Sequence, residues 1–329
     1  MRKLLMWAVL LIVVAAAVLL GIYKHFDRES AELTDAVRAS AGGRYVALAL
    51  PLGAGSSSSL VTPMAAVTHY ELAGPQDAQT VVLVHGFTVP YYIWDPMFDG
   101  LVRAGFRVLR YDLYGRGYSD RPEVRYDANL FDRQLLNLLD ALKIQAPVDV
   151  AGLSMGGPIV ATFAVRHPER VRSILLFDPA VKARPVAQLL RVPGVAQLYT
   201  GLIWAPSAAE GQLNDLAHPE KFPDWPDRFR VQMKYKGFRH AVLSTVRDYL
   251  PRDKMPDVAA YGRSGKPALL VWGREDRTTP FAALSAMTRE AIPQAECHAV
   301  DDAGHVPFME KPEVVMPITV DFLRRVASK

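Results

Sequence analysis

Three residues far apart in the chain are of the types that together perform nucleophilic acyl transfer. Ser154 stands in Gly152-Leu153-Ser154-Met155-Gly156, which fits G-x-S-x-G, where glycines two residues either side of a serine let a strand and a helix approach around a strained turn that lifts the hydroxyl into the open. Asp276 lies in Gly273-Arg274-Glu275-Asp276-Arg277-Thr278-Thr279-Pro280, and His305 in Asp302-Ala303-Gly304-His305-Val306-Pro307. A serine hydroxyl becomes a useful nucleophile once an imidazole removes its proton, and an aspartate can hold that imidazole in the required tautomer. Taken singly these signals are weak: the pentapeptide could be a plain strand-to-helix loop, and most lone histidines are surface or core residues. Their order along the chain, Ser then Asp then His, is what gives them weight.

The residues need elements that bring them to one edge. Val81-Val82-Leu83-Val84, Arg107 to Tyr111, the run from Val148, Ile174 to Phe177, Ala268 to Trp272 and Cys297 to Val300 read as strands, several of them apolar throughout as expected of strands covered on both faces of a parallel sheet. Helical spacing of apolar residues intervenes over Pro96 to Ala104, Asn129 to Leu142 and Pro158 to His167. Strands alternating with helices predict a doubly wound, mostly parallel α/β sheet, with loops at the carboxyl ends of the strands carrying the ligand site. Ser154, Asp276 and His305 all fall in such loops. Residues 181–254, rich in proline and aromatics, predict a helical cap inserted over the sheet edge. Its Leu202, Ile203 and Trp204 are candidates to line a substrate site. The core is expected over 45–180 and 255–329. Tyr45 to Leu50 and Ala66 to Leu72 read as two further strands joined by an exposed hairpin extension, the Ser-rich stretch 53–60.

Composition narrows the class. Half of the 329 residues are hydrophobic, enough for a large core with an insertion. The formal net charge of +4 is scattered among interleaved acids, with no nucleic-acid module, so no nucleic-acid partner is expected. One cysteine, Cys297, excludes an intramolecular disulfide. No metal cluster, phosphate loop or dinucleotide fingerprint is visible, so neither metal nor cofactor is expected. Arg2 and Lys3 precede an uncharged apolar run from Leu4 to Tyr23, which as a helix would span roughly 30 Å. That length predicts an uncleaved signal-anchor over 1–23, a transmembrane helix with the bilayer as partner through residues 4–23, and a polar, helical juxtamembrane connector over 24–44. The N-terminal positive charge predicts a single-pass membrane protein with its catalytic body on the extracytoplasmic side.

With the elbow, His85-Gly86-Phe87, the G-x-x-D-x-x-x-P spacing from Gly273 to Pro280 and Gly304-His305 in hand, the chain from about Tyr45 onward resembles the α/β-hydrolase superfamily. Within it the chain looks most like the cap-bearing esterases and monoacylglycerol-lipase-type serine hydrolases, and Asp112 to Pro122 matches a common structural loop. The resemblance implies an esterase or lipase working through Ser154 as nucleophile, His305 as base and Asp276 as acid. The backbone amides of Phe87 and Met155 would form the oxyanion hole, with His85 supporting the loop that aims Phe87. Asp178, Glu275, Asp301 and Asp302 compete for the acid's role. The expected substrate is a small-molecule ester, lipid-like in its acyl part, as in a monoacylglycerol or lysophospholipid. The alternatives are a carbon–carbon bond hydrolase or a cofactor-free haloperoxidase of the same fold, and, in another class, a catalytically silent binding protein.

Overall fold

A computed structural model describes residues 2–25, 29–50, 65–192 and 194–328. Eight strands form one sheet: β1 (Arg44–Ala49), β2 (Ala65–Ala73), β3 (Thr80–Val84), β4 (Arg107–Tyr111), β5 (Val148–Leu153), β6 (Val171–Phe177), β7 (Ala268–Gly273) and β8 (Glu296–Val300). Their order across the sheet is β1-β2-β4-β3-β5-β6-β7-β8. The β1–β2 and β2–β4 pairs are antiparallel, and every pairing from β4 through β8 is parallel. Because β4 lies to one side of β3 and β5 to the other, the chain reverses direction across the sheet at β3. The carboxyl ends of β3 and β5 therefore open onto a crevice, where sheets of this kind bind ligands. β3, β5 and β7 are buried along their whole length, which is why their sequences are nearly unbroken apolar runs.

Helices cover both faces. After α1 (Arg2–His25) and α2 (Asp35–Ala41) come α3 (Asp95–Arg103), α4 (Ala128–Ala141) and α5 (Gly156–Arg166). The insertion between β6 and β7 carries α6 (Val195–Tyr199), α7 (Ala205–Gly211), α8 (Trp225–Met233) and α9 (Phe238–Asp248), followed by α10 (Met255–Arg263). The chain closes with α11 (Phe281–Ala291), α12 (Pro307–Glu310) and α13 (Pro312–Ala327). Two apolar cores result, one on each side of the sheet. Leu130, Leu135, Ile159 and Phe163 of α4 and α5 pack on one face, while Leu101, Phe308, Phe322 and Leu323 of α3, α12 and α13 pack on the other with α8 and α9 residues Phe229 and Phe238.

The N-terminal region departs from expectation. The apolar run does form α1, although the side chains at 4, 12, 15, 16, 19, 23 and 25 lie outside the described residues. Among the described residues no helix is long and apolar enough to cross a membrane. The expected transmembrane helix, the bilayer partner through residues 4–23 and the extracytoplasmic single-pass placement are corrected accordingly: a run that looks long enough when every residue is counted does not give a qualifying span in the described helix. Among the described residues of the connector, helix is confined to the last residues of α1 and to α2. Before it, Ala31 pairs with Tyr235, the Ala31 amide donating to Lys234 O at 2.9 Å and the Lys236 amide to Ala31 O at 3.0 Å. The Ser-rich stretch 53–60 lies outside the described residues.

Candidate active site

Ser154 follows β5 directly and has φ of 52°, the left-handed region that costs a non-glycine residue energy unless its surroundings impose it. The surroundings do. The Ser154 amide donates to Phe177 O at 2.9 Å, and Ser154 O accepts from the amides of Gly157 and Ala180 at 3.1 and 2.9 Å. A Cβ on Gly152 would stand 2.3 Å from Gly156 O, and one on Gly156 would stand 2.3 Å from Val84 O, so neither position accepts a side chain. The turn then runs straight into α5, whose N-terminus carries the positive end of the helix dipole. On the neighbouring strand, a Cβ at Gly86 would touch Ser154 Cβ at 3.3 Å. The loop after β3 therefore passes against the serine.

Asp276 follows β7 and His305 follows β8. His305 Nδ1 lies 2.9 Å from Asp276 Oδ2. The carboxylate is held from its other side: Oδ1 accepts from the amides of Thr278 and Thr279 at 2.7 and 2.9 Å, and the Thr279 hydroxyl donates to Oδ2 at 2.6 Å. Burial raises the Asp276 pKa, but the hydrogen bond and charge of His305 and the Thr279 donors outweigh it and hold the carboxyl well below the usual range. Burial likewise lowers His305, but the hydrogen bond and charge of Asp276 prevail and its pKa ends above the ordinary value. Both side chains are almost fully buried, and Ser154 is only 8% exposed, so the three sit in surroundings where such interactions are strong.

The competing acids fall elsewhere, with one exception. Glu275 accepts the Ala303 amide at 2.9 Å, Asp301 pairs with Arg274, and Asp302 holds His218 and Lys311. The exception is Asp178, after β6, also in the left-handed region with φ of 44°. Its Oδ1 accepts the Gly273 amide at 2.9 Å, while its buried Oδ2 lacks a hydrogen-bond partner. Burial, reinforced by the charge of Asp276, pushes its pKa well above the ordinary carboxylate range, so the site favours the protonated form of Asp178. Donor atoms of Asp178, Asp276 and His305 lie within 4.8 Å of one another, close enough in principle to hold an ion. The direct His305–Asp276 hydrogen bond already uses the facing atoms of two of them.

His85 is fully buried and its tautomer follows from its partners. The Leu113 amide donates to Nε2 at 2.9 Å, so the ring proton sits on Nδ1 and is donated to Gly86 O at 2.9 Å. Burial lowers its pKa to about 4, which keeps that neutral form at ordinary pH. Phe87, whose amide was expected as an oxyanion donor, is half-buried beside it. Met155, the other expected donor, is buried at the start of α5. Leu202, Ile203 and Trp204 lie on a π-helical turn, Thr200–Trp204, in the insertion. Trp204 stacks on Phe238 at 6.1 Å between ring centres, and Ile203 is 61% exposed.

Several residues of the site have no motif to announce them. Asp215, in the insertion, accepts the His305 amide on its carbonyl at 2.7 Å and the Thr278 hydroxyl on its carboxylate at 2.5 Å. Arg116 and Gln232 hold the loop after β3. For Thr278 and Thr279 a signal did exist: an aspartate two and three residues ahead of donor amides is an Asx-turn pattern.

Known proteins share this fold. Residues 79–312 match the family model described as the alpha/beta hydrolase fold. The chain is 30% identical to a 2-hydroxy-6-oxononadienedioate/2-hydroxy-6-oxononatrienedioate hydrolase of Paraburkholderia xenovorans, the alignment covering 78% of this chain and 90% of that protein. Among solved structures, an enol-lactonase from Burkholderia xenovorans superposes with a TM-score of 0.68 at 25% identity, over 79% of this chain and 97% of that one. A membrane phospholipase A superposes with a TM-score of 0.65 at 24% identity, each chain covered in full, a likeness that speaks for the fold alone. The family match over most of the chain, on a sheet of this order with the elbow after β5, means that the protein belongs to the α/β-hydrolase fold family.

Proposed function

We propose that the protein is a serine hydrolase that cleaves carboxylic esters through an acyl-enzyme on Ser154. The observation that carries the reading is the buried His305–Asp276 hydrogen bond at 2.9 Å, in the loops after β7 and β8, on the same sheet edge at which the strained Ser154 elbow follows β5. With Nδ1 committed to Asp276, the other ring nitrogen, Nε2, is the one left to act as base. It takes the Ser154 proton as Oγ bonds to the substrate carbonyl carbon, and returns that proton to the alkoxide as the carbon–oxygen bond to the leaving group breaks. Water, deprotonated by the same nitrogen, then hydrolyses the acyl-enzyme. The Phe87 and Met155 amides serve as donors to the oxyanion, a contribution for which each donor is typically worth roughly 3 to 4 kcal/mol.

Apolar acyl chains are the favoured substrates, with Leu202, Ile203 and Trp204 as candidates to line the acyl site in an insertion that acts as a cap. This preference rests on the apolar composition of the insertion. A second reading, carbon–carbon bond hydrolysis, is favoured by the 30% identity to the 2-hydroxy-6-oxononadienedioate/2-hydroxy-6-oxononatrienedioate hydrolase. It uses the same serine and base, with the proton delivered to carbon instead of oxygen. Turnover of a p-nitrophenyl ester series and of a 2-hydroxy-6-oxo-dienoate, measured side by side, separates the two. Ester turnover that rises with acyl length from acetyl supports the primary reading, and turnover of the dienoate alone replaces it with the second.

A further inference from the structure

Three consecutive carbonyls in the loop after β3 are each held by a side chain with almost no exposure. His85 donates to Gly86 O at 2.9 Å, Arg116 Nε donates to Phe87 O at 2.8 Å, and Gln232 Nε2, from α8, donates to Thr88 O at 2.9 Å. Arg116 is the unusual member. It is fully buried, its other donors go to Tyr114 O at 3.1 Å and the Thr245 hydroxyl of α9 at 2.9 Å, and its guanidinium lies 5.6 Å from the centre of the Phe87 ring. The Tyr126 and Phe131 rings flank it at 5.9 Å. Among the described residues its partners are two carbonyls, a hydroxyl and three rings, with no carboxylate.

A buried cation without a counter-charge is expensive. Burial lowers the Arg116 pKa only to about 10, so it keeps its charge at neutral pH. If the site needed only volume, an apolar side chain would fill it at less cost. What an apolar side chain cannot do is grip the Phe87 carbonyl, cover the Phe87 ring and reach α9 at once, with a planar fork of fixed geometry.

We propose that Arg116 is a positioning residue for the oxyanion donor: it fixes the backbone of Phe87 so that its amide points at the developing oxyanion, and ties that orientation to the insertion through Thr245. The inference rests on the serine-hydrolase reading. It extends it by making the insertion part of the machinery that sets the rate, since α8 holds the loop after β3 directly through Gln232 and α9 holds it through the Thr245–Arg116 bond.

The test compares the whole wild-type protein with Arg116→Ala, Arg116→Lys and Thr245→Val, using whichever ester in the series wild type turns over and Ser154→Ala as background. Absence of Ser154-dependent turnover in wild type would end the parent reading, and the variants matter only once that turnover is seen. Arg116→Ala is expected to lower kcat by about a hundredfold, as losing an oxyanion donor does, with KM changed by less than about threefold. Added guanidinium ion at millimolar level is expected to restore part of kcat, and affinity for a trifluoromethyl ketone transition-state analogue should fall in parallel with kcat. Arg116→Lys keeps the charge and loses the fork, so it should fall between the two. If Arg116→Ala does not fold, Thr245→Val carries the test, with a several-fold loss of kcat at unchanged melting temperature as the expected result. Wild-type kcat in a folded Arg116→Ala, or in a folded Thr245→Val when the alanine variant does not fold, overturns the proposal, as does a loss confined to KM.

Discussion

At the scale of single residues the site is a set of titrating groups shifted from their ordinary values: Asp276 lowered, Asp178 raised, His305 raised, His85 lowered. Two predictions follow from the signs. His305 must be unprotonated to accept the serine proton, and its pKa lies above 6.5 because Asp276 outweighs burial. The acidic limb of kcat/KM should therefore have its midpoint above pH 6.5. Asp276→Asn should lower that midpoint and reduce turnover by up to about 10⁴-fold while the fold persists, the scale seen when a triad carboxylate is replaced by its amide; full activity in that variant would remove Asp276 from the mechanism. Asp178 has the opposite sign. Its folded pKa lies far above its unfolded value of 3.8, so the folded state binds the extra proton, and stability is lost as pH rises from the unfolded pKa toward the folded one. Asp178→Asn, neutral at every pH, should flatten the decline of melting temperature above about pH 4 and match or exceed wild type at pH 7. A variant that melts well below wild type at pH 7 would mean that Asp178 is ionised. Of these residues, Ser154, Asp276 and His305 stood out in the sequence as candidates because each lies in a loop after an expected strand within a recognisable spacing. Asp178 was visible only as a competitor, since its raised pKa comes from burial and from the charge of Asp276, which only the folded chain brings near it. Arg116 was not legible at all, because nothing in Tyr114-Gly115-Arg116-Gly117 says that its donors are spent on Phe87 and Thr245.

At the scale of elements, the elbow depends on absent side chains. The Cβ that alanine would add at Gly152 meets the backbone of α5 at 2.3 Å, and backbone there cannot yield without moving the serine. Gly152→Ala is expected to give little folded protein, or folded protein without Ser154-dependent turnover; a folded variant with wild-type kcat would contradict this account of the turn. The start of α9 is capped from outside the insertion: Glu29 accepts the amides of Gly237 and Arg239 at 3.2 and 2.5 Å. Replacing Glu29 by Ala should cost about 0.5 to 2 kcal/mol, the range for losing a helix cap, and thermal unfolding measures it. The strands β3, β5 and β7 were legible because strands buried along their whole length are nearly unbroken apolar runs. The link between residues 29–32 and the α8–α9 turn was not, because a short polar segment pairing with a loop some two hundred residues away has no periodicity to betray it.

At the scale of the molecule, the order of the sheet explains why three residues distant in the chain come to the same edge of the sheet. β5, β7 and β8 are parallel and separated by β6 alone, so the loops after them emerge at one edge, and the reversal at β3 places the Gly86–Thr88 loop beside Ser154. The doubly wound parallel sheet was readable from the alternation of strand and helix. The expectation for the N-terminal run was not met: length and hydropathy alone predicted a membrane span, and no described helix qualifies as one. How the insertion lies over the edge was also beyond the sequence, because its prolines and aromatics announce packing but not the bonds from Asp215, Gln232 and Thr245 into the site. The central claim is that Ser154 carries the acyl group. Rapid mixing of the full chain with a chromogenic ester, followed by acid quench and peptide mass mapping, tests it most directly. The predicted result is a burst approaching one leaving group per chain, with the acyl mass on the peptide containing Ser154 and neither burst nor adduct in Ser154→Ala. An acyl adduct on another residue, or undiminished turnover in Ser154→Ala, would contradict it.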